Sequence, residues 1–341
     1  MIETDVDTER RELAELSDDL LERFCSVEHL RGCLDQGRAH SPELWGRLAE
    51  AGLISAIVGE DFGGIGLTPA HLSGVLYNLG RHAAPEPFLE TAVVAATVLG
   101  ASSWPEASAW LERVAAGDAI VAIRLDGAPH VAFARDADLL LDIGQDDSVR
   151  VFTADQLEIT DLDSLDALRP VTAVAYRTEG VALPVSADSI RYARALAIAG
   201  AACLLAGATN RLLELTVDYV TLRRQFDRPV GSFQAVKHKI ADVAVMADMA
   251  RSAALSAIDG AGEPAGFRRA AAAKAYAGDA AHLANVHALQ LHGGIGFTWE
   301  YHLHIWLKRA MSLSAAYGTT RSLRRALARD LLAEIGGAGS R

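Results

Sequence analysis

The run AAAAKAYAGDAAHLA, residues 270–284, constrains the fold of this chain more than any other stretch. Nine of its fifteen residues are alanine, the residue that loses least on entering a helix. The sequence before it repeats the message. Leu204, Ala208, Leu212, Leu215, Tyr219 and Leu222 fall on one face of an earlier helix. Phe233, Val236, Ile240, Val243 and Met246 form the stripe of the next, with Ser232 as its expected N-cap. Breaks at DRPVG and GAGEP separate three long helices that should pack as a bundle.

Residues 1–116 also have a helical pattern. SPELWGRLAEAGLI opens with Ser41 as an N-cap and Pro42 at the first helical position, where a missing N–H costs nothing. Leu44, Leu48 and Leu53 give its stripe, and GEDFGGIGLTP follows as a loop. A second helix is expected from about Pro69 to Leu79, and APEP breaks the chain before the apolar stretch FLETAVVAATVLG. Over residues 117–187 the texture changes. AIVAIRL, DLLLDIG, SVRVFTA and TAVAYRT are short and β-prone, separated by turn residues, and suit a small sheet. From 188 to 341 the pattern is helical again. The expected class is mainly α with a small β-domain (α+β): an N-terminal helical domain, a short middle β-domain and a C-terminal four-helix bundle. No GxGxxG opens a βαβ unit, which argues against a Rossmann domain.

The net charge of −12 argues against nucleic acid, whose phosphates demand clustered Lys and Arg. Cys25, Cys33 and Cys203 form no metal-like constellation, and an odd number makes a poor disulfide framework. No metal is expected, and the thiols should be buried in a reducing compartment. The acidic start MIETDVDTERRELAELSDD resembles neither a signal nor a transit peptide. No apolar run of the ~18 residues that a membrane span needs is expected. A cytoplasmic protein without a membrane span is the expectation.

Four segments carry a family likeness: LWGRLAEAGL and GEDFGGIGL near the start, YVTLRRQFDRPVGSFQAVKHKIAD at 219–242, and LQLHGGIGF at 289–297. Together with the order helices, β-domain, bundle, they make the chain resemble the FAD-dependent acyl-CoA dehydrogenases over nearly its whole length. The likeness is strong at both ends and weak in the middle. It implies an acyl-CoA thioester as substrate, FAD shared across a subunit interface, and an acceptor such as an electron-transfer flavoprotein. By this resemblance Arg223 meets the FAD pyrophosphate, through the bidentate bonds that a guanidinium offers. Phe226 packs near the adenine, and Gln225 and Gln234 supply amide donors and acceptors. Gln290 and Gly294 border the adenine-dinucleotide end, Gly293 allows the close approach, and Thr319 is carried over with them. Asp227 replaces the family's usual Gly and should face solvent. His292 is expected to be structural.

The same resemblance exposes what is missing. The family's catalytic Glu precedes a Gly-Thr pair, and that position holds Tyr317, followed by Gly318 and Thr319. A phenol with a reference pKa near 10 is a poor base at neutral pH. A smaller set of members carries the Glu on the first bundle helix, and residues 189–213 contain no carboxylate. Glu214 and Asp218 come later and are expected on a solvent-exposed face. The motifs that flank the flavin ring in the middle domain are unrecognisable here, and Arg321 stands where a flavin-contacting Gln is common. Arg191 and Arg194 could meet a CoA phosphate, surface charge being the alternative. The catalytic base is therefore unassigned. The chain resembles the degenerate subunit of actinobacterial heterotetrameric acyl-CoA dehydrogenases, whose second subunit would supply base and ring site. Two other readings keep the fold: a homo-oligomeric flavoenzyme with altered chemistry, and a non-catalytic scaffold or regulator.

Overall fold

Residues 5–338 are described by a computed structural model. Among the described residues six α-helices precede the strands: α1 (Asp5–Phe24), α2 (Val27–Asp35), α3 (Pro42–Glu50), α4 (Ser73–Arg81), α5 (Ala96–Gly100) and α6 (Ala107–Ala116). Ser41 caps α3 as its sequence demands, its hydroxyl accepting from the Leu44 N–H at 3.3 Å. The helix anticipated from Pro69 begins as a 3₁₀ turn over Pro69–Leu72 and continues as α4. FLETAVVA holds a surprise for a reading based on a 3.6-residue period. Leu89–Ala95 winds as a π-helix whose seven residues, Glu90 included, are all buried. Such segments are rare and collect at sites with a job to do.

The β-region forms two small sheets rather than one. The first runs β1 (Val121–Leu125), β3 (Leu139–Ile143), β4 (Val149–Thr153), β7 (Val181–Ala182), with β1 and β3 parallel and the other pairs antiparallel. The second runs β2 (Val131–Ala132), β6 (Val171–Tyr176), β5 (Leu157–Asp161), all antiparallel. The four β-prone runs supply β1, β3, β4 and β6. β5 and the two-residue strands β2 and β7 lack a run long enough to announce them.

The C-terminal part comprises α7 (Ala187–Leu222), a hairpin of β8 (Arg224–Gln225) and β9 (Arg228–Pro229), α8 (Gln234–Asp259), α9 (Gly266–His292), α10 (Leu303–Ala315) and α11 (Thr320–Ala338). α7 is the central post. It contains a window long and apolar enough to cross a membrane by length and composition, contrary to the sequence expectation, but 78% of that window is buried inside the protein. The alanines and leucines that raise its hydropathy are those that let neighbours close in on every side. Gly80 and Gly207 show how close. A Cβ on Gly80 would stand 1.9 Å from the Leu204 carbonyl oxygen, and one on Gly207 1.9 Å from that of Tyr77. Only glycine permits this crossing of α4 over α7. One hydrophobic cluster runs from Leu21 to Leu323 and takes residues from all three parts.

Two details of the sequence reading change. Ser232 does not cap α8: Phe233, in extended conformation, is the N-cap, and the Ser232 hydroxyl donates to the Pro229 carbonyl at 2.7 Å. The 3₁₀ turn over Val230–Ser232 has claimed that hydroxyl first. Leu222, placed on the apolar face of α7, is 80% exposed, because α7 ends there and nothing packs beyond it.

Candidate cofactor site and the closed position of the base

At the end of α7 the Arg223 N–H donates to the Tyr219 carbonyl at 2.8 Å, and the chain turns back as the β8–β9 hairpin. Arg224 pairs with Pro229 and Gln225 with Arg228. The turn residues Phe226 and Asp227 both have positive φ, 53° and 61°, the geometry of a tight two-residue hairpin turn normally built with Asn or Gly. Arg223, Gln225, Asp227 and Gln234 are exposed, and Phe226 is 85% exposed. The Arg223 guanidinium has no hydrogen bond or ion pair among the described residues.

The end of α9 comes to the same place. His292 is buried, its ring stacked on Tyr219 with centroids 4.4 Å apart. Its Nδ1–H donates to the Ala288 carbonyl at 2.7 Å, which fits the structural role expected of it. Burial holds its pKa below the ordinary imidazole value. This stack joins the α7 and α9 ends, so Arg223, Gln225, Phe226 and Gln234 share one end of the bundle with Gln290, Gly293 and Gly294. Gln290 accepts from the Lys239 Nζ at 2.8 Å, tying α8 to α9. Gly293, at φ 62°, is the C-cap of α9, and the next turn is 3₁₀ over Gly293–Phe297. A Cβ on Gly294 would meet nothing within 4 Å, and no positive φ is needed there. Among the described residues nothing crowds position 294. It leaves room for something outside. Thr319 is elsewhere: its hydroxyl accepts from the Ser322 N–H at 3.2 Å, while neighbouring Thr320 donates to the Ala275 carbonyl at 3.4 Å. Ala275 lies fifteen residues before Gln290 on α9, about 22 Å along the helix.

An unpaired guanidinium, an exposed planar ring, free amides and an open glycine turn suit the pyrophosphate and base of a dinucleotide. Among the described residues no group of three or more His, Cys, Asp or Glu is placed to hold a metal ion.

Tyr317 presents the opposite picture. It sits at φ 53° and its hydroxyl donates to Glu90 Oε1 at 2.8 Å. The Arg169 guanidinium donates to the same oxygen at 3.1 Å and lies 6.0 Å from the Tyr317 ring centroid. Glu90 is 3% exposed. Burial, then the Glu90 charge, pushes the Tyr317 pKa well above the ordinary phenol value, with Arg169 opposing. The phenol therefore stays protonated and donates; it cannot take a proton from carbon near neutral pH. A second buried pair adjoins: Arg309 donates to Asp166 at 2.5 Å and to the Ala84 and Leu168 carbonyls at 2.8 and 3.2 Å. Lys274, 1% exposed, donates to the Ser314 carbonyl at 3.3 Å. Burial, aided by the Arg169 charge, pushes its pKa down to about 7. The connection between β5 and β6 thus inserts Asp166 and Arg169 between the N-terminal helices and the bundle.

Glu90 was invisible to motif reading because its partners stand 79 and 227 residues away. The available signal was a single carboxylate inside the apolar run FLETAVVA. Two other charges also change status. Glu214, expected on a solvent-exposed face, is half-buried and accepts from Nε and Nη2 of Arg81 at 3.1 and 3.2 Å and from Arg211 at 3.0 Å. Arg194, a candidate for a CoA phosphate or for free surface charge, pairs with Asp126 at 3.1 Å, with Asp147 and with the Gly144 carbonyl. It ties α7 to the β-region. Arg191 is exposed and paired with Asp188, and Asp218 is exposed.

Comparison with known proteins bears on both pictures. The N-terminal domain of the acyl-CoA dehydrogenase family matches residues 7–118 and the C-terminal domain residues 186–332, on either side of the strands. The chain is 30% identical over 324 residues to acyl-CoA dehydrogenase IpdE2 of Mycolicibacterium smegmatis, covering 94% of this chain and 97% of that protein. It is 31% identical to IpdE2 of Mycobacterium tuberculosis, covering 94% and 96%. Among solved structures, the ChsE4–ChsE5 complex from Mycobacterium tuberculosis superimposes with a TM-score of 0.86 at 26% identity, over 96% of this chain and 98% of the matched one. With helices, strands and bundle in the same order, and with similarity along almost its whole length, the chain belongs to the acyl-CoA dehydrogenase family of FAD-dependent oxidoreductases acting on CH–CH groups.

Proposed function

We propose that this chain is the subunit of a heteromeric acyl-CoA dehydrogenase that grips the adenine end of FAD, while a second dehydrogenase-like chain supplies the catalytic base and the flavin-ring site. Held by these residues, FAD would supply the acceptor for the β-hydride of an acyl thioester. A carboxylate must take the α-proton, and position 317 does not provide one. The observation that carries the reading is the Tyr317–Glu90–Arg169 cluster. The phenol is held protonated, and the nearest carboxylate is committed to a buried ion pair. Arg223, Gln225, Phe226, Gln234, Gln290 and the 293–294 turn, in contrast, stand exposed together at one end of the bundle. Thr319 takes no part in that grip. The similarity to one chain of a complex of two differently named chains supports the same arrangement. The reduced electrons would pass to an electron-transfer flavoprotein or a comparable acceptor, in the cytoplasm.

Co-expression tests it. Purified alone, this chain is expected to be colourless. Co-purified with a Glu-bearing dehydrogenase-like chain, it should be yellow and should desaturate an acyl-CoA thioester. One flavin per subunit in a homo-oligomer of this chain would refute the proposal in favour of altered chemistry. Absence of flavin with every dehydrogenase-like partner would refute it in favour of a scaffold.

A further inference from the structure

We propose that Arg228 is a positioning residue for the nucleotide end of the cofactor, setting the exposed ring of Phe226 through its grip on Phe233. The inference rests on the reading of the bundle end as an adenine site. The hairpin turn Phe226-Asp227 holds two residues with Cβ atoms in the left-handed region, which sterics disfavour. Strain of this kind survives only where surroundings enforce it. Two main-chain supports are visible: the Arg224 Nη2 donates to the Asp227 carbonyl at 2.6 Å, and the Val230 N–H to the Arg223 carbonyl at 2.8 Å. Neither touches the Phe226 ring. That ring meets Phe233, edge to face at 80°, with centroids 6.2 Å apart. Phe233 in turn carries the Arg228 guanidinium 3.9 Å from its centroid, a short cation–π contact. Arg228 stands opposite Gln225 in the hairpin register, immediately beside the turn.

The three arginines of this hairpin region thus have three separate employments. Arg224 fixes the turn carbonyl, Arg228 fixes the Phe233 ring, and Arg223 is left unpaired for an anion. Beyond its edge contact with Phe233, the Phe226 ring leaves most of its apolar surface in water. A planar purine laid on that face would remove it from water, as base–aromatic stacking does elsewhere. Loss of Arg228 frees Phe233, and Phe226 then samples orientations that cannot stack.

The test uses the co-expressed assembly, stripped of flavin and titrated with FAD. Arg228→Ala is expected to raise the FAD Kd about three- to tenfold, with the thermal midpoint of the apo-assembly unchanged. Arg228→Lys should recover most of the affinity, since an ammonium also sits over a ring. In a Phe233→Leu background Arg228→Ala should have no further effect. Arg223→Ala serves as the separate probe of the site. If Arg223→Ala weakens FAD binding and Arg228→Ala does not, the site stands and the role of Arg228 is overturned. A fall in thermal midpoint with Arg228→Ala, without rescue by Lys, overturns it as well. If neither substitution alters FAD uptake, the adenine-site reading itself fails.

Discussion

Replacing Lys274 by methionine removes a buried amine and keeps a side chain of similar length. The amine has one hydrogen bond, to the Ser314 carbonyl at 3.3 Å, and no carboxylate partner among the described residues. Its pKa falls from 10.5 in the unfolded chain to about 7 in the fold. A drop of about 3.5 units corresponds to about 5 kcal/mol of opposed charging. The sign follows from proton uptake. Above pH 10.5 the amine is neutral in both states and carries no penalty. As pH falls from 10.5 to 7, the unfolded chain takes a proton that the folded chain refuses, so stability drops by about 1.4 kcal/mol per pH unit. Below pH 7 both states are charged and the penalty is constant. Urea unfolding followed by circular dichroism at pH 7, 8 and 9 should therefore find Lys274→Met more stable than wild type at pH 7. That advantage should shrink by about 2 kcal/mol between pH 7 and 9, the folded amine being already half protonated at pH 7. An advantage that does not change with pH would refute the reasoning, because it would mean that Lys274 is charged or solvated in the fold.

Four further outcomes follow. Arg169→Met leaves Glu90 buried without its cation, and unfolding free energy should fall by about 3–5 kcal/mol, measured by urea titration at pH 7. Tyr317→Phe removes one hydrogen bond to that same carboxylate and should cost only about 1–2 kcal/mol, with the flavin content of the co-expressed assembly unchanged. Gly80→Ala drives a methyl group to 1.9 Å from the Leu204 carbonyl and should destabilise by at least about 1–3 kcal/mol, visible as a lowered thermal midpoint. Gly294→Ala has the opposite profile: its Cβ meets nothing within 4 Å, so thermal stability should hold while FAD uptake by the assembly weakens severalfold.

What the sequence made legible was local. Alanine-rich periodicity gives α7 to α9, Ser41-Pro42 gives the start of α3, and four β-prone runs give four strands. The bundle-end residues were legible because they lie in two contiguous motifs whose neighbours are also their spatial neighbours; the Tyr219–His292 stack merely joins them. What stayed hidden depends on distant partners. No local pattern pairs Glu90 with Arg169 and Tyr317, or Glu214 with Arg81, since each contact is decided by how three layers close on one another. The π-helix is hidden for a different reason: its apolar residues satisfy the ordinary helical period as well. Ser232 shows the converse error, where a good capping residue was claimed by the adjacent turn.

The two ends of the molecule differ in how their polar groups are spent, and that difference carries the functional distinction. At the bundle end, among the described residues, Arg223 is unpaired, Phe226 faces water in a disfavoured backbone conformation, and Gly294 has space that no side chain fills. These features leave polar and apolar surface open to solvent, which is what the proposed cofactor grip requires. Around Tyr317 the accounts are closed. Glu90 faces Arg169, Asp166 faces Arg309, the phenol donates to Glu90, and Lys274 sheds much of its charge near neutral pH. A general base needs a carboxylate free to meet a substrate proton and shielded from any stronger cation. Glu90 meets neither condition while Arg169 holds it. Even Tyr317→Glu would place a second carboxylate against the first, with one guanidinium between them, so restoring the family's Glu at this position alone should not restore proton abstraction to this chain.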